Sequence, residues 1–164
     1  VWEKEGRLSV TPGPVVDYDF VAAHLFELSQ RHDLRRVAFD RYNYRHLKPR
    51  LATAGFREEQ LDGDDAVFVP MGQGFVSMSP ALRDLESAVL TQSLAHGDHN
   101  VLSMCAENAV VQTDPAGNRK LTKAKSRGRI DGMVALAMAM SVAGTWQASD
   151  EGPSIYETRG ILVI

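Results

Sequence analysis

Apolar positions along this 164-residue chain change their spacing several times, and each change marks an element. Val21, Leu25 and Leu28 recur at i, i+4 and i+7, which predicts an amphipathic helix over Tyr18–Arg31 capped by Asp17 or Asp19. Val37–Asp40 is a short β-prone run ending in a carboxylate, the pattern of a buried strand that delivers Asp40 to a sheet edge. Tyr44, Leu47 and Leu51 return to helical spacing and Gly55 stops it, while Pro49 inside the pattern predicts a kink or a later start. An acidic turn at residues 62–65 leads into a strand over residues 66–69, closed by Pro70. Helix, strand, helix, strand is the rhythm of a βαβ unit and favours parallel neighbours.

Further along, Ser79-Pro80 reads as a helix start, with Leu82, Leu85 and Val89 as the buried stripe and Glu86 on its edge. Asp98 is the expected cap of a short helix through Val101, Leu102 and Cys105. Residues 109–113 and 119–122 flank a turn at residues 114–118 and predict a hairpin. Residues 132–142 carry Ser141 as their only polar side chain, so this helix is expected to be buried nearly all round, with Asp131 in its first turn. Residues 8–11 form a strand candidate stopped by Pro12-Gly13-Pro14. Ile161-Leu162-Val163-Ile164 ends the chain as a last strand or as the start of a missing partner segment.

Composition narrows the class. The chain is 44% hydrophobic and 24% charged, as expected of one compact α/β domain. A net charge of −3 and a pI near 5.9 mean that any nucleic-acid binding must come from a local basic patch. The single cysteine, Cys105, forms no internal disulfide and reads as a small buried apolar group in a reducing compartment. The longest apolar run, residues 133–140, is far shorter than the roughly 20 residues of a membrane span. No signal-peptide pattern opens the chain, so the expectation is a cytoplasmic protein with no membrane partner. It opens at Val1 without a methionine, which suggests an upstream segment.

Two carboxylates are attached to elements read as buried: Asp40 at a strand end and Asp131 at the start of the apolar helix. Fixed carboxylates are what hard divalent cations require, and two such ions about 4 Å apart can clamp a phosphodiester. The plainer alternatives are a strand-end turn residue for Asp40 and helix-dipole compensation for Asp131. From Arg119 to Arg129 the chain also carries Lys120, Lys123, Lys125 and Arg127 and no acidic residue. Such a loop leading into a carboxylate suits binding of a phosphate backbone, or else is a solvated loop. A second basic group, Arg41, Arg45, His46, Lys48 and Arg50, follows Asp40, and some of it decorates a helix face. Gly72-Gln73-Gly74 lacks the lysine and spacing of a phosphate-binding loop, and His96 and His99 read as surface histidines.

In order and spacing, Phe39-Asp40-Arg41, Gly72-Gln73-Gly74 with Ser77-Met78-Ser79, Glu86, His96 with Asn100, Asn108, and Arg129-Ile130-Asp131-Gly132 with Ala135-Leu136-Ala137-Met138-Ala139 resemble one family. It is the C-terminal nuclease domain of the large terminase subunit of tailed bacteriophages, and the resemblance runs from Trp2 to Gly144. It implies an α/β, RNase H-like mixed sheet flanked by helices, here missing its first strand or strands and the ATPase domain. The division is then an N-terminally truncated nuclease domain over residues 1–144 and a tail over residues 145–164. The implied activity is a metal-dependent endonuclease that cleaves double-stranded concatemeric DNA with two ions. Asp40 and Asp131 match the catalytic and metal positions for Mg²⁺ or Mn²⁺, and a further metal-binding aspartate of the family belongs to a strand upstream of Trp2. Lys123, Lys125, Arg127, Arg129 and Arg41 become the expected DNA contacts, with supporting roles for Glu86 and Asn108. The implied partners are double-stranded DNA, the terminase small subunit and the portal, with a homo-oligomer in the packaging motor in the host cytoplasm. The rival reading is a non-catalytic DNA-binding or motor-docking module of the same fold.

Overall fold

The computed structural model describes residues 1–42, 44–64 and 66–143. Strand β1 (Val37–Asp40) pairs in parallel with β2 (Phe68–Met71), in register from Val37 with Phe68 to Asp40 with Met71. Helices α2 (Tyr44–Ala54) and α3 (Glu58–Leu61) form the crossover between them. Helix α1 (Tyr18–Arg31) precedes β1 and packs on α2; the Asp17 carboxylate caps it by accepting the Asp19 and Phe20 N–H groups at 2.9 and 3.3 Å. After β2 come α4 (Phe75–Leu90) and α5 (Asn100–Asn108). An antiparallel hairpin of β3 (Val111–Thr113) and β4 (Arg119–Leu121) and the last helix, α6 (Asp131–Ala143), complete the described chain.

Each face of the parallel pair is covered by its own core. Side chains alternate along a strand, so β1 can serve both. Val37, Phe39 and Phe68 join Leu51, Phe56 and Leu61 on the α1–α3 side. There Tyr44 stacks on Phe39 with centroids 3.9 Å apart, Phe56 meets Phe68 edge-on at 5.1 Å, and the Tyr44 hydroxyl donates to the Leu61 carbonyl at 2.8 Å. Ala38 and Met71 turn the other way, to a core of Met78, Leu82, Leu85, Ile130, Val134 and Met138 from α4, α6 and their flanks. Asp40 is opposite Met71 in the ladder, and paired residues share a face. Its side chain therefore leaves on the side that α4–α6 cover.

Several boundaries differ from the sequence expectation, each for a physical reason. Pro70 lies inside β2 rather than closing it. The Val37 N–H donates to the Val67 carbonyl at 2.7 Å, and in a parallel ladder that phase turns the nitrogen of Pro70 away from β1, where no donor is needed. Helix α4 starts a turn early, at Phe75 with Gly74 as its cap, and leaves Ser79-Pro80 in its interior. Burial of Met78 rewards the extra turn, and the carbonyl that Pro80 leaves unbonded belongs to Val76, which is 86% exposed. Helix α2 begins at Tyr44 and carries Pro49 within it. His99 rather than Asp98 stands at the N-cap position of α5, without a side-chain bond to the helix. Residues 8–11 form no strand, and Leu8 and Val10 are half exposed.

Two larger expectations also change. Among the described residues the strands make two separate two-stranded sheets, one parallel and one antiparallel, rather than one mixed sheet. Helix α6 is not buried all round: Ala135, Ala139 and Ala143 are exposed and, with Leu25, Leu34, Val37 and Ala38, line a groove along β1 of about 610 Å³. The expected strand at residues 161–164 and the tail over residues 145–164 lie outside the described residues. Buried Cys105 and the hairpin are as expected.

Phe68 is 2% exposed and touches both Phe56 and Tyr44. Phe68→Ala is expected to lower unfolding free energy by about 3–5 kcal/mol, measured by urea denaturation.

Candidate functional site

Asp40 ends β1 with an exposed carboxylate. Its Oδ1 accepts the Tyr42 N–H at 3.1 Å, the local bond of a turn-forming aspartate. Its Oδ2 accepts from the Gln73 amide at 2.9 Å, a partner 33 residues away in the loop after β2. A turn alone does not need that second bond. At Gly72 an added Cβ would come within 3.1 Å of the Ser77 hydroxyl and 3.8 Å of the Arg41 guanidinium, so a small residue lets Arg41 and α4 approach beside Asp40.

Asp131 is the first residue of α6, where orphan N–H groups favour an acid. It also has a specific partner, Lys123, whose Nζ lies 2.5 Å from its Oδ1. That hydrogen bond is the main cause of an Asp131 pKa below the usual carboxylate value; partial burial opposes it, and the charges of Lys123 and Arg129 add to it. Lys123 belongs to a single 3₁₀ turn, Lys123–Lys125. The loop around it is anchored. Thr122 and Ile130 are buried at its two ends, the Ser126 hydroxyl donates to the Thr122 carbonyl at 2.7 Å, and the Asn108 amide lies 2.7 Å from where a Cβ on Gly128 would be. A freely solvated loop would have none of these. Between Lys123, Ser126, Arg127, Arg129 and Asp131 it encloses a basin of about 310 Å³.

The two carboxylates share the α4–α6 side of the sheet but have separate partners: Tyr42 and Gln73 for Asp40, Lys123 for Asp131. Among the described residues no three His, Cys, Asp or Glu side chains converge on one point as metal ligands would. Of the remaining predicted residues, Arg41 lies beside Asp40 and Lys123, Arg127 and Arg129 line the basin, with Lys125 in its 3₁₀ turn. Glu86 pairs with Arg119 of β4 at 2.9 Å, a contact between α4 and the hairpin. The Asn108 amide packs over Gly128. His96 lines an apolar cavity between α4, α5 and α6, and His99 stands at the N-cap position of α5. Gln73 stood in the sequence only within the Gly72-Gln73-Gly74 motif of the resemblance, with no role of its own, and the pairing of Lys123 with Asp131 had only their closeness along the chain.

Residues 1–147 match the family of the terminase large subunit, endonuclease domain. The chain is 46% identical over 143 residues to the large terminase subunit of Enterobacteria phage HK97, covering 87% of this chain and 27% of that protein. It is 26% identical over 162 residues to protein YmfN of Escherichia coli strain K12, covering 98% of this chain and 33% of that one. The crystal structure of the HK97 bacteriophage large terminase superposes with a TM-score of 0.76 at 45% identity, over 86% of this chain and 28% of that one. The chain thus spans between a quarter and a third of the length of these relatives. From a family match that spans all of its described residues and 46% identity to a phage relative, the chain belongs to the endonuclease-domain family of the terminase large subunit.

Proposed function

We propose that the chain is the part of a DNA-packaging terminase that hydrolyses phosphodiester bonds of double-stranded concatemeric DNA, with Asp40 and Asp131 as donors to Mg²⁺ or Mn²⁺. The observation that carries this reading is the common side of the sheet: Asp40 leaves β1 toward α4–α6, and Asp131 begins α6 at the rim of the basic basin. The donor chemistry fits a hard cation in kind, since both groups are exposed carboxylates. Bound there, a divalent ion would supply an acidified water and charge neutralisation at the phosphate. The chain's own residues do the rest. Lys123, Lys125, Arg127 and Arg129 bind the backbone as an anchored cationic surface, Arg41 supplies a further cation next to Asp40 in the chain, and Gln73 with the Tyr42 N–H fixes the Asp40 carboxylate in orientation.

Two carboxylates make only part of such a donor set. The ladder phase that turns Pro70 outward also turns the Ala38 and Asp40 backbone groups toward the edge of β1 that no strand pairs among the described residues, beside the exposed alanines of α6. An upstream strand on that edge, carrying a further aspartate, would complete both an RNase H-like sheet and the donor set. The terminase small subunit and a portal-bound ring of copies in the host cytoplasm are the partners this reading implies; among the described residues no helix is long and apolar enough to cross a membrane. A second reading, a non-catalytic DNA-binding or motor-docking module, draws its support from the absence of a third converging acid among the described residues.

Three outcomes follow from the site. In the full-length protein, Asp40→Asn and Asp131→Asn are each expected to cut Mn²⁺-dependent plasmid cleavage by about a hundredfold or more while DNA binding persists; unchanged cleavage in both would leave only the docking module. Replacing Lys125, Arg127 or Arg129 by Ala should reduce the slope of log affinity against log salt by about 0.9 each, read by fluorescence anisotropy. Because the folded pKa of Asp131 is lowered, its contribution to stability is present above the unfolded value and is lost as pH falls through the folded one. Lys123→Ala should move the Asp131 titration upward toward the ordinary carboxylate range, followed by carboxyl ¹³C NMR.

A further inference from the structure

Two tyrosines stand two residues apart after β1, and the fold uses the side chain of only one. Tyr44 stacks on Phe39 and donates its hydroxyl to the Leu61 carbonyl at 2.8 Å. Tyr42 is 79% exposed, the most exposed aromatic side chain among the described residues, and its ring makes no hydrogen bond or ring contact with any of them. Only its backbone is held, through the N–H that it donates to Asp40 Oδ1 at 3.1 Å. The turn therefore fixes where the side chain starts, next to the carboxylate, and leaves the ring to solvent. A strand-end turn favours a small polar residue at such a place, not an aromatic one. The neighbouring side chain is equally open. Arg41 is exposed and belongs to no ion pair among the described residues, whereas Lys48 and Arg50 further along pair with Glu58 and Asp19 at 2.9 and 3.4 Å. An open cation beside an open aromatic ring suits a nucleic-acid strand: the cation meets phosphate and the ring meets a base.

We propose that Tyr42 is a base-stacking contact: its ring receives a DNA base that has left the helical stack, beside the phosphate presented to Asp40. This rests on the DNA-cleavage reading above and names the form of DNA that the site takes. Inside an intact duplex both faces of a base are covered by its neighbours, so a ring at the protein surface stacks only where a base is unpaired or turned out. Turning a base out costs least where it is mismatched or already single-stranded. Stacking tolerates any base, because every base has a π-face. The contact therefore gives the site a preference for a local distortion and none for a sequence. It involves no charge, so its loss lowers affinity without changing the number of counterions released. Arg41 supplies the charged half of the contact, at the phosphate next to the turned-out base.

The test measures binding by the full-length protein. Two duplexes are compared by fluorescence anisotropy, one fully paired and one with a central unpaired 2-aminopurine, a base whose emission is quenched by stacking. The parent is expected to bind the second duplex about fivefold or more tightly than the first. Tyr42→Phe should keep that preference, since the ring suffices. Tyr42→Ala should lose it, with brighter 2-aminopurine in its complex than in the parent's and an unchanged slope of log affinity against log salt. The Asp40 turn survives this substitution because its bond to residue 42 runs through the backbone. A preference that persists in Tyr42→Ala, equal emission in the two complexes, or a parent without the preference overturns the stacking contact. Where Arg127→Ala lowers the salt slope and Tyr42→Ala alters no DNA measurement, the ring serves a protein partner instead, and the inference falls alone. Where Arg127→Ala changes neither affinity nor slope, the DNA reading of the site falls and takes the inference with it.

Discussion

The two-sided burial of the parallel pair β1–β2 is the constraint on which the rest depends. Four residues of β1 must satisfy two cores, and the pleat divides them: Val37 and Phe39 to the aromatic side, Ala38 and Asp40 to the side of α4–α6. A register slip of one residue would exchange the two sets, burying Asp40 among Phe56, Phe68 and Tyr44. The stack of Tyr44 on Phe39 and the edge contacts of Phe56 oppose that slip. The position of the catalytic candidate thus follows from packing on the opposite face.

The basic loop shows how a cationic surface is kept in shape. Like charges repel, and a run of them without support is extended and mobile. Here Thr122 and Ile130 bury the two ends, Asn108 fills the space over Gly128, and Asp131 takes up one of the positive charges through Lys123. The remaining cations then face a basin rather than each other. The same acid that relieves repulsion in the loop is one of the two proposed metal donors, so the proposed DNA-binding surface and the proposed centre share one electrostatic environment.

The exposed alanine row of α6 and the edge of β1 left unpaired among the described residues meet in one groove. A helix this apolar is expected to be enclosed, and a strand edge with free backbone groups is normally covered. Both departures occur at the same place, so a single additional element would resolve them together. This is also the side of the sheet toward which Asp40 turns.

What the sequence determined by itself were the local periods and their punctuation. Helix α1 was legible in its approximate bounds, the βαβ unit and the hairpin were legible as elements, and Asp40 and Asp131 were legible because each interrupts an apolar pattern at its edge. These features depend on neighbours within one or two turns, so short-range spacing suffices to reveal them. Tertiary structure decided the rest. It drew α4 a turn upstream to bury Met78 and let Pro70 into a strand because its nitrogen faces no partner. It sent Glu86 to Arg119, brought Gln73 to Asp40 across 33 residues, and set Lys123 on Asp131. Each outcome is a contact whose free energy depends on what another segment presents, and spacing along the chain carries no record of that.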